Sequence, residues 1–91
     1  MSRRLITSSR FRRDAKRIKK QGLPASELLD VVSLLIEGKP IPEEMNDHPL
    51  KGTLDGFRDL HIRPDWVLLY KITDDSLLLQ RTGSHAEIFG K

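Results

Sequence analysis

Residues 57–82 read FRDLHIRPDWVLLYKITDDSLLLQRT, and the architecture of the chain turns on the period of that stretch. Leu60 and Ile62 alternate with Phe57, Asp59, His61 and Arg63, so a strand here turns one apolar and one polar face. Pro64-Asp65 then makes a turn, and Trp66 to Ile72 is the continuous apolar run of a central strand. A second turn at Thr73-Asp74-Asp75 leads into Leu77 to Thr82. The result is a meander of consecutive antiparallel strands, with Trp66 and Tyr70 expected in its core. A sheet this small cannot bury its apolar face alone.

Cover must come from the N-terminal half. Residues 2–7 suit a short strand, Ser8-Ser9 offers an N-cap for a helix through about Gln21, and Gly22 is its stop signal. Phe11, Ala15 and Ile18 share one narrow face of that helix. Arg10, Arg12, Arg13, Lys16, Arg17, Lys19 and Lys20 cover most of the rest, the pattern of a surface helix. A second helix, with Pro24 in its first turn, runs to Gly38 with Pro40 just beyond. Its broad apolar face, Leu28, Val31, Val32, Leu35 and Ile36, suits packing flat on a sheet. Residues 39–56 hold prolines, Gly52 and Gly56 and no period, and read mainly as a long ordered loop. The expected fold class is α+β. A small antiparallel β-sheet, the N-terminal strand plus the meander, is covered on one face by two N-terminal helices, in one domain over residues 1–91.

Composition narrows the function. The chain has no cysteine, so disulfides and thiolate metal sites are excluded, which fits a reducing cytoplasm. No secretory h-region and no apolar run of about 20 residues is present, so neither export nor a membrane partner is expected. The net charge of +3 hides a lopsided distribution. Residues 1–20 carry nine bases and one acid, and residues 21–48 one base and six acids. A block that basic favours a polyanion such as RNA or an acidic partner protein, with a solvated helix face as the plain alternative. His48, His61, His85, Asp59 and Asp65 are metal-ligand types, yet none form a helical i, i+4 pair or an HExxH element. Neither a Walker-type loop nor GxGxxG is present, so no metal and no cofactor is expected.

Imidazoles near arginines suit proton transfer at an anion. Cleaving RNA without a metal requires a base at the 2′-hydroxyl, an acid at the leaving 5′-oxygen and fixed positive charge. His61 lies on the polar face of the meander's first strand, His85 follows its last strand, and His48 sits in the loop. Arg63 and Arg81 are candidates to clamp a phosphate bidentately. Phe89, near a chain end expected to fray, is a candidate to stack on a base. Each has a duller role open to it: His48 shaping the turn into Pro49, Asp65 capping a hairpin, Asp59 pairing with a neighbouring arginine.

The strings His48-Pro49-Leu50-Lys51-Gly52, Gly56 to Ile62, Pro64-Asp65-Trp66, Tyr70-Lys71 and Arg81-Thr82-Gly83-Ser84-His85-Ala86, with Phe89-Gly90, resemble the YafQ branch of the RelE/ParE toxin superfamily. The resemblance is dense over the C-terminal half and extends to the N-terminal half only in pattern. It implies a RelE-like toxin of a bacterial type II toxin–antitoxin system, a ribosome-dependent mRNA endonuclease inhibited by a cognate antitoxin. The free toxin is then expected to be monomeric, and hetero-oligomeric with its antitoxin. The family's catalytic set falls on His48, Asp59, His61, Asp65, His85 and Phe89, with Arg81 beside the phosphate. His85 is expected as the acid, His48 or Asp65 as the base, and His61 as an orienting or charge-stabilising group. The basic helix suits docking to ribosomal RNA or to the antitoxin. Two alternatives remain: a ParE-like toxin that binds DNA gyrase and needs no catalytic histidine, and a non-catalytic RNA-binding module.

Overall fold

Ser8 closes the first element and caps the second. In the computed structural model, which describes residues 2–90, β1 (Arg4–Thr7) leads into α1 (Ser9–Lys20), and the Ser8 hydroxyl accepts from the open N–H of Phe11. The next helix, α2 (Ala25–Glu37), stops at Gly38, whose φ of 70° is the left-handed cap conformation that glycine adopts without a Cβ penalty. Then follow β2 (His48–Pro49), β3 (Arg58–Arg63), β4 (Trp66–Ile72), β5 (Ser76–Gly83) and α3 (His85–Phe89).

All strands join one sheet in the order β1-β5-β4-β3-β2, so the apolar run from Trp66 is its central strand. The meander is antiparallel, but β1 lies parallel to β5. That direction follows from the path: α1 and α2 carry the chain across to the far edge, and the strands then wind back until β5 meets β1. The parallel β1 corrects the expectation of a wholly antiparallel sheet, and two further elements depart from the sequence reading. Inside the expected loop 39–56, His48-Pro49 pairs with Asp59-Arg58 as an extra edge strand, a position where proline's missing N–H costs no ladder bond. The C-terminus is not frayed over the described residues but forms α3.

The core lies between the sheet and the two long helices. Phe11 and Ile18 of α1 and Leu28, Val31, Val32 and Leu35 of α2 pack on Leu60, Ile62, Trp66, Leu68, Tyr70, Leu77 and Leu79. Each such side chain contributes roughly 1.5–3 kcal/mol by burial. The Trp66 indole donates to Thr82 Oγ1 at 2.9 Å, and Thr82 donates onward to the Val67 carbonyl, so no polar atom of that trio is stranded.

Two bulges break the strict alternation and decide what faces what. On β3, His61 pairs with Val67 and Arg63 with Trp66, so both Ile62 and Arg63 turn to the core side. On β5, Leu69 pairs with Arg81 and Tyr70 with Leu79, leaving Gln80 as the extra residue. Without it Arg81 would share the core face of Leu79. With it, Arg81 lies on the opposite face. Among the described residues, no helix is long and apolar enough to cross a membrane.

Candidate active site

The sheet face turned away from α1 and α2 carries two rows of side chains. Register links His48 to Asp59, Asp59 to Leu69 and Leu69 to Arg81 in one row, and His61 to Val67 and Val67 to Gly83 in the next. Strands stand about 4.8 Å apart and residues i, i+2 about 6.7 Å apart, which puts the backbones of His48 and His61 roughly 8 Å from each other.

His48 is fixed from both sides. Its Nδ1 donates to the Asn46 carbonyl at 2.7 Å, because a carbonyl can only accept, and this turns Nε2 towards Asp59. Nε2 stands 3.0 Å from Asp59 Oδ1, outside the in-line geometry of a hydrogen bond, so that carboxylate oxygen is buried with no hydrogen-bond donor. Asp59 is only 2% exposed, so the polar face expected of β3 is closed over at this point by β2. The loop before β2 is itself anchored: Asp47 accepts from the Tyr70 hydroxyl and from Arg58 Nε. Burial, and then the Asp47 carboxylate, pushes the Tyr70 phenol well above its ordinary value, so it remains a donor.

The second group gathers around α3. The ring centroids of His61 and His85 are 5.7 Å apart, and those of His85 and Phe89 are 4.8 Å apart. Ser84 and Glu87 form a reciprocal capping box: Ser84 Oγ accepts from Glu87 N, and Glu87 Oε1 from Ser84 N at 2.8 Å. The Ser84 N–H is the main reason the Glu87 carboxyl lies below the usual carboxylate range, with the Arg17 charge adding to it. Arg17 of α1 joins the layers. It donates to Thr82 O and Asp14 Oδ1, and its Nε stands 2.9 Å from Glu87 Oε2. The basic helix therefore holds α3, and with it His85, against the end of β5.

Gly83 makes this turn possible. Its φ is +153°, and a Cβ there would sit 2.5 Å from an Arg17 guanidinium nitrogen and 2.8 Å from Glu87 Oε1. Gly83→Ala is expected to destabilise the protein by about 1–3 kcal/mol. Urea denaturation measures that loss.

The remaining expected residues are placed differently. Arg63, turned by its bulge, donates to both carboxylate oxygens of Glu27 on α2, at 2.9 and 2.5 Å. It lies on the face opposite Arg81, so the expected joint clamp of one phosphate by Arg63 and Arg81 is not formed. Arg81 keeps the site face, but its Nε and one terminal nitrogen are engaged by Asp14, each at 2.9 Å. Asp65 sits in the turn between β3 and β4, on the rim of a cleft shared with Gln21, Leu23, Arg63, Trp66, Ser84 and Glu87. Arg12 leans back on the Thr7 carbonyl, away from the site, whereas Arg10, Arg13 and Arg17 line a cleft with Asp14 and Arg81. Among the described residues, no group of three or more His, Cys, Asp or Glu is arranged to hold a metal ion.

Asp14 was not singled out by the sequence reading. It is 2% exposed and accepts from Arg17, from Arg81 and from Thr82 N. Its one visible signal is being the lone acid in a run of bases. The capping box was legible too, as Ser84-x-x-Glu87 ahead of Gly90.

Residues 3–90 match the family model for the bacterial toxin of type II toxin–antitoxin system, YafQ. The mRNA interferase toxin YafQ of Escherichia coli strain K12 is 42% identical over 84 residues, 91% of this chain and 91% of that protein. Solved structures resemble the chain as closely. The crystal structure of YafQ from E. coli BL21(DE3) superposes with a TM-score of 0.92 at 39% identity, covering 97% of this chain and 99% of that one. The toxin-like chain of the E. coli DinJ–YafQ toxin–antitoxin complex gives 0.91 at 40% identity, with 99% and 100% covered.

Proposed function

The chain belongs to the YafQ family of bacterial type II toxin–antitoxin toxins, and on that premise we propose that it is an endoribonuclease, an mRNA interferase cutting translated mRNA in the ribosomal A site. The observation that carries this reading is the His61–His85–Phe89 cluster on the same sheet face as the His48–Asp59 pair. The reading treats residues 1–91 as one domain.

In the proposed reaction the 2′-oxygen attacks the adjacent phosphorus while a base takes its proton. The bond from phosphorus to the 5′-oxygen breaks, and an acid delivers a proton to that oxygen. A 2′,3′-cyclic phosphate and a 5′-hydroxyl result, with no metal or cofactor needed for proton balance. His85, exposed at the start of α3, is the acid. The base is His48 or Asp65: the Asn46 carbonyl and Asp59 engage the two ring nitrogens of His48, so that imidazole serves only once its ring turns away from one of them, whereas the Asp65 carboxylate is exposed. His61 lies beside His85 and suits charge stabilisation on the non-bridging oxygens. Phe89 offers a ring for a base to stack on.

A cognate antitoxin is the expected inhibitory partner, supported by the DinJ complex of the E. coli relative, and the free toxin is a monomer on this reading. The basic α1 supplies attraction to RNA, with binding falling steeply as salt rises. Mapping transcript 5′ ends after a pulse of expression tests the proposal. New ends are expected inside a reporter's reading frame and should vanish when its start codon is removed. Ends that persist on the untranslated transcript would refute ribosome dependence.

A further inference from the structure

At about 100° per residue, the seven bases that the sequence presents as one block divide into separate flanks of α1. Arg10, Arg13 and Arg17 fall on the side facing the end of β5, Arg12 and Lys19 on the opposite side, and Lys16 and Lys20 point outward. The first three meet Arg81 across a cleft of about 230 Å³. We infer that this cleft holds backbone phosphates of the RNA strand being cut, next to the scissile bond, rather than ribosomal RNA.

Charge comes first. Asp14 is the one acid lining the cleft, and it is saturated by Arg17, Arg81 and the Thr82 N–H. Four guanidiniums against one carboxylate leave the cleft positive. Among the described residues, Arg10 and Arg13 have no ion-pair partner, and both are exposed. Their fork-shaped donors are therefore free for phosphate oxygens, while Arg17 and Arg81 are held still by Asp14 as the wall.

Position selects the strand. Arg81 occupies the same cross-strand row as Asp59, two strands away, a distance of about 10 Å and roughly one to two nucleotides. Two of the lining residues are tied to Thr82, whose carbonyl accepts from Arg17 and whose N–H donates to Asp14, and Thr82 lies three residues before His85. A chain whose scissile phosphate lies among His48, His61 and His85 would, by running across the strands, bring its next phosphates over Arg81 to Arg10 and Arg13.

This subsite rests on the nuclease reading, and its test separates the two. Anisotropy of a labelled single-stranded RNA, made uncleavable by a 2′-deoxy sugar at the cut, is measured against salt for wild type, Arg10→Gln/Arg13→Gln and the charge-matched Arg4→Gln/Lys39→Gln. Pelleting with vacant ribosomes is run in parallel. The cleft variant is expected to bind the oligonucleotide roughly tenfold more weakly, with the slope of log K on log salt reduced by about 1.4, or 0.7 per lost phosphate contact. Ribosome pelleting should be unchanged, and the charge-matched control should stay within about twofold of wild type. Three results overturn the inference: no measurable oligonucleotide binding by wild type, oligonucleotide affinity matching the control, or a loss confined to ribosome pelleting, which would make ribosomal RNA the occupant. Failure of the nuclease reading appears elsewhere, as a wild type that makes no cuts in the transcript map.

Discussion

His85→Ala is expected to lower RNA cleavage by about 100- to 10,000-fold, the range over which a positioned acid or base contributes. The imidazole is exposed at the first position of α3, and the cap that forms the helix belongs to Ser84 and Glu87. Alanine is a good helix former there, so the variant should keep its fold and its melting temperature within a few degrees. The lost groups are the proposed proton donor and the tilted ring contacts with His61 and Phe89. His61→Ala should cost less, because its proposed part is charge stabilisation rather than proton delivery. The measurement is single-turnover cleavage on translating ribosomes, with near-ultraviolet circular dichroism as the folding control. Full cleavage by a folded His85→Ala protein would remove this residue from the chemistry.

How far these placements could be read from residues alone depends on the kind of signal involved. Periodicity and its breakers carried α1, α2 and the meander, since Phe11 and Ile18, Leu28 to Leu35 and Leu60 to Leu79 repeat long enough to mark a face. Glycine at 38 and serine at 8 marked the ends. β2 left no such trace, because two residues, one of them proline, have no period. Its effect is large, for it covers Asp59 and turns a presumed open carboxylate into a buried one. The bulges were equally silent. Strict alternation groups Arg63 with His61, whereas the observed register sends Arg63 to Glu27 and leaves Arg81 on the histidine face. α3 was written in its capping box but is only five residues long, too short for a helical face to repeat. His61, His85 and Phe89 could be named from their types and from family resemblance. That they meet is a consequence of α3.

The residue on which that meeting depends most is Asp14, and Asp14→Ala should destabilise the protein by about 3–5 kcal/mol, the cost of removing one partner from a buried ion pair. It would leave Arg81, now without the acceptor for two of its nitrogens, and Thr82 N without a partner at the open edge of β5. For a domain whose whole stability is roughly 5–15 kcal/mol, this is a large share, and a fall in melting temperature of about 15 °C or more is expected. The pH dependence has a definite sign. Burial alone would raise the Asp14 carboxyl, but hydrogen bonds from Arg81 and Arg17 and from the Thr82 N–H together bring it below its ordinary value. A carboxyl lowered in the folded state stabilises above its unfolded pKa of about 4, and that contribution drains away as pH falls through the folded value. The gap in melting temperature between wild type and Asp14→Ala should therefore be widest near neutrality and narrow below about pH 4. Glu87 is lowered as well, but it titrates in both proteins, so the difference isolates Asp14. Asp14→Ala/Arg81→Ala should recover part of the loss, because the second change removes the stranded guanidinium. A single variant that melts within about 2 °C of wild type would mean that the edge of β5 closes without this carboxylate. The basic helix would then be holding α3 through the Arg17–Glu87 pair and the hydrogen bond from its C-cap Gln21 to Glu87.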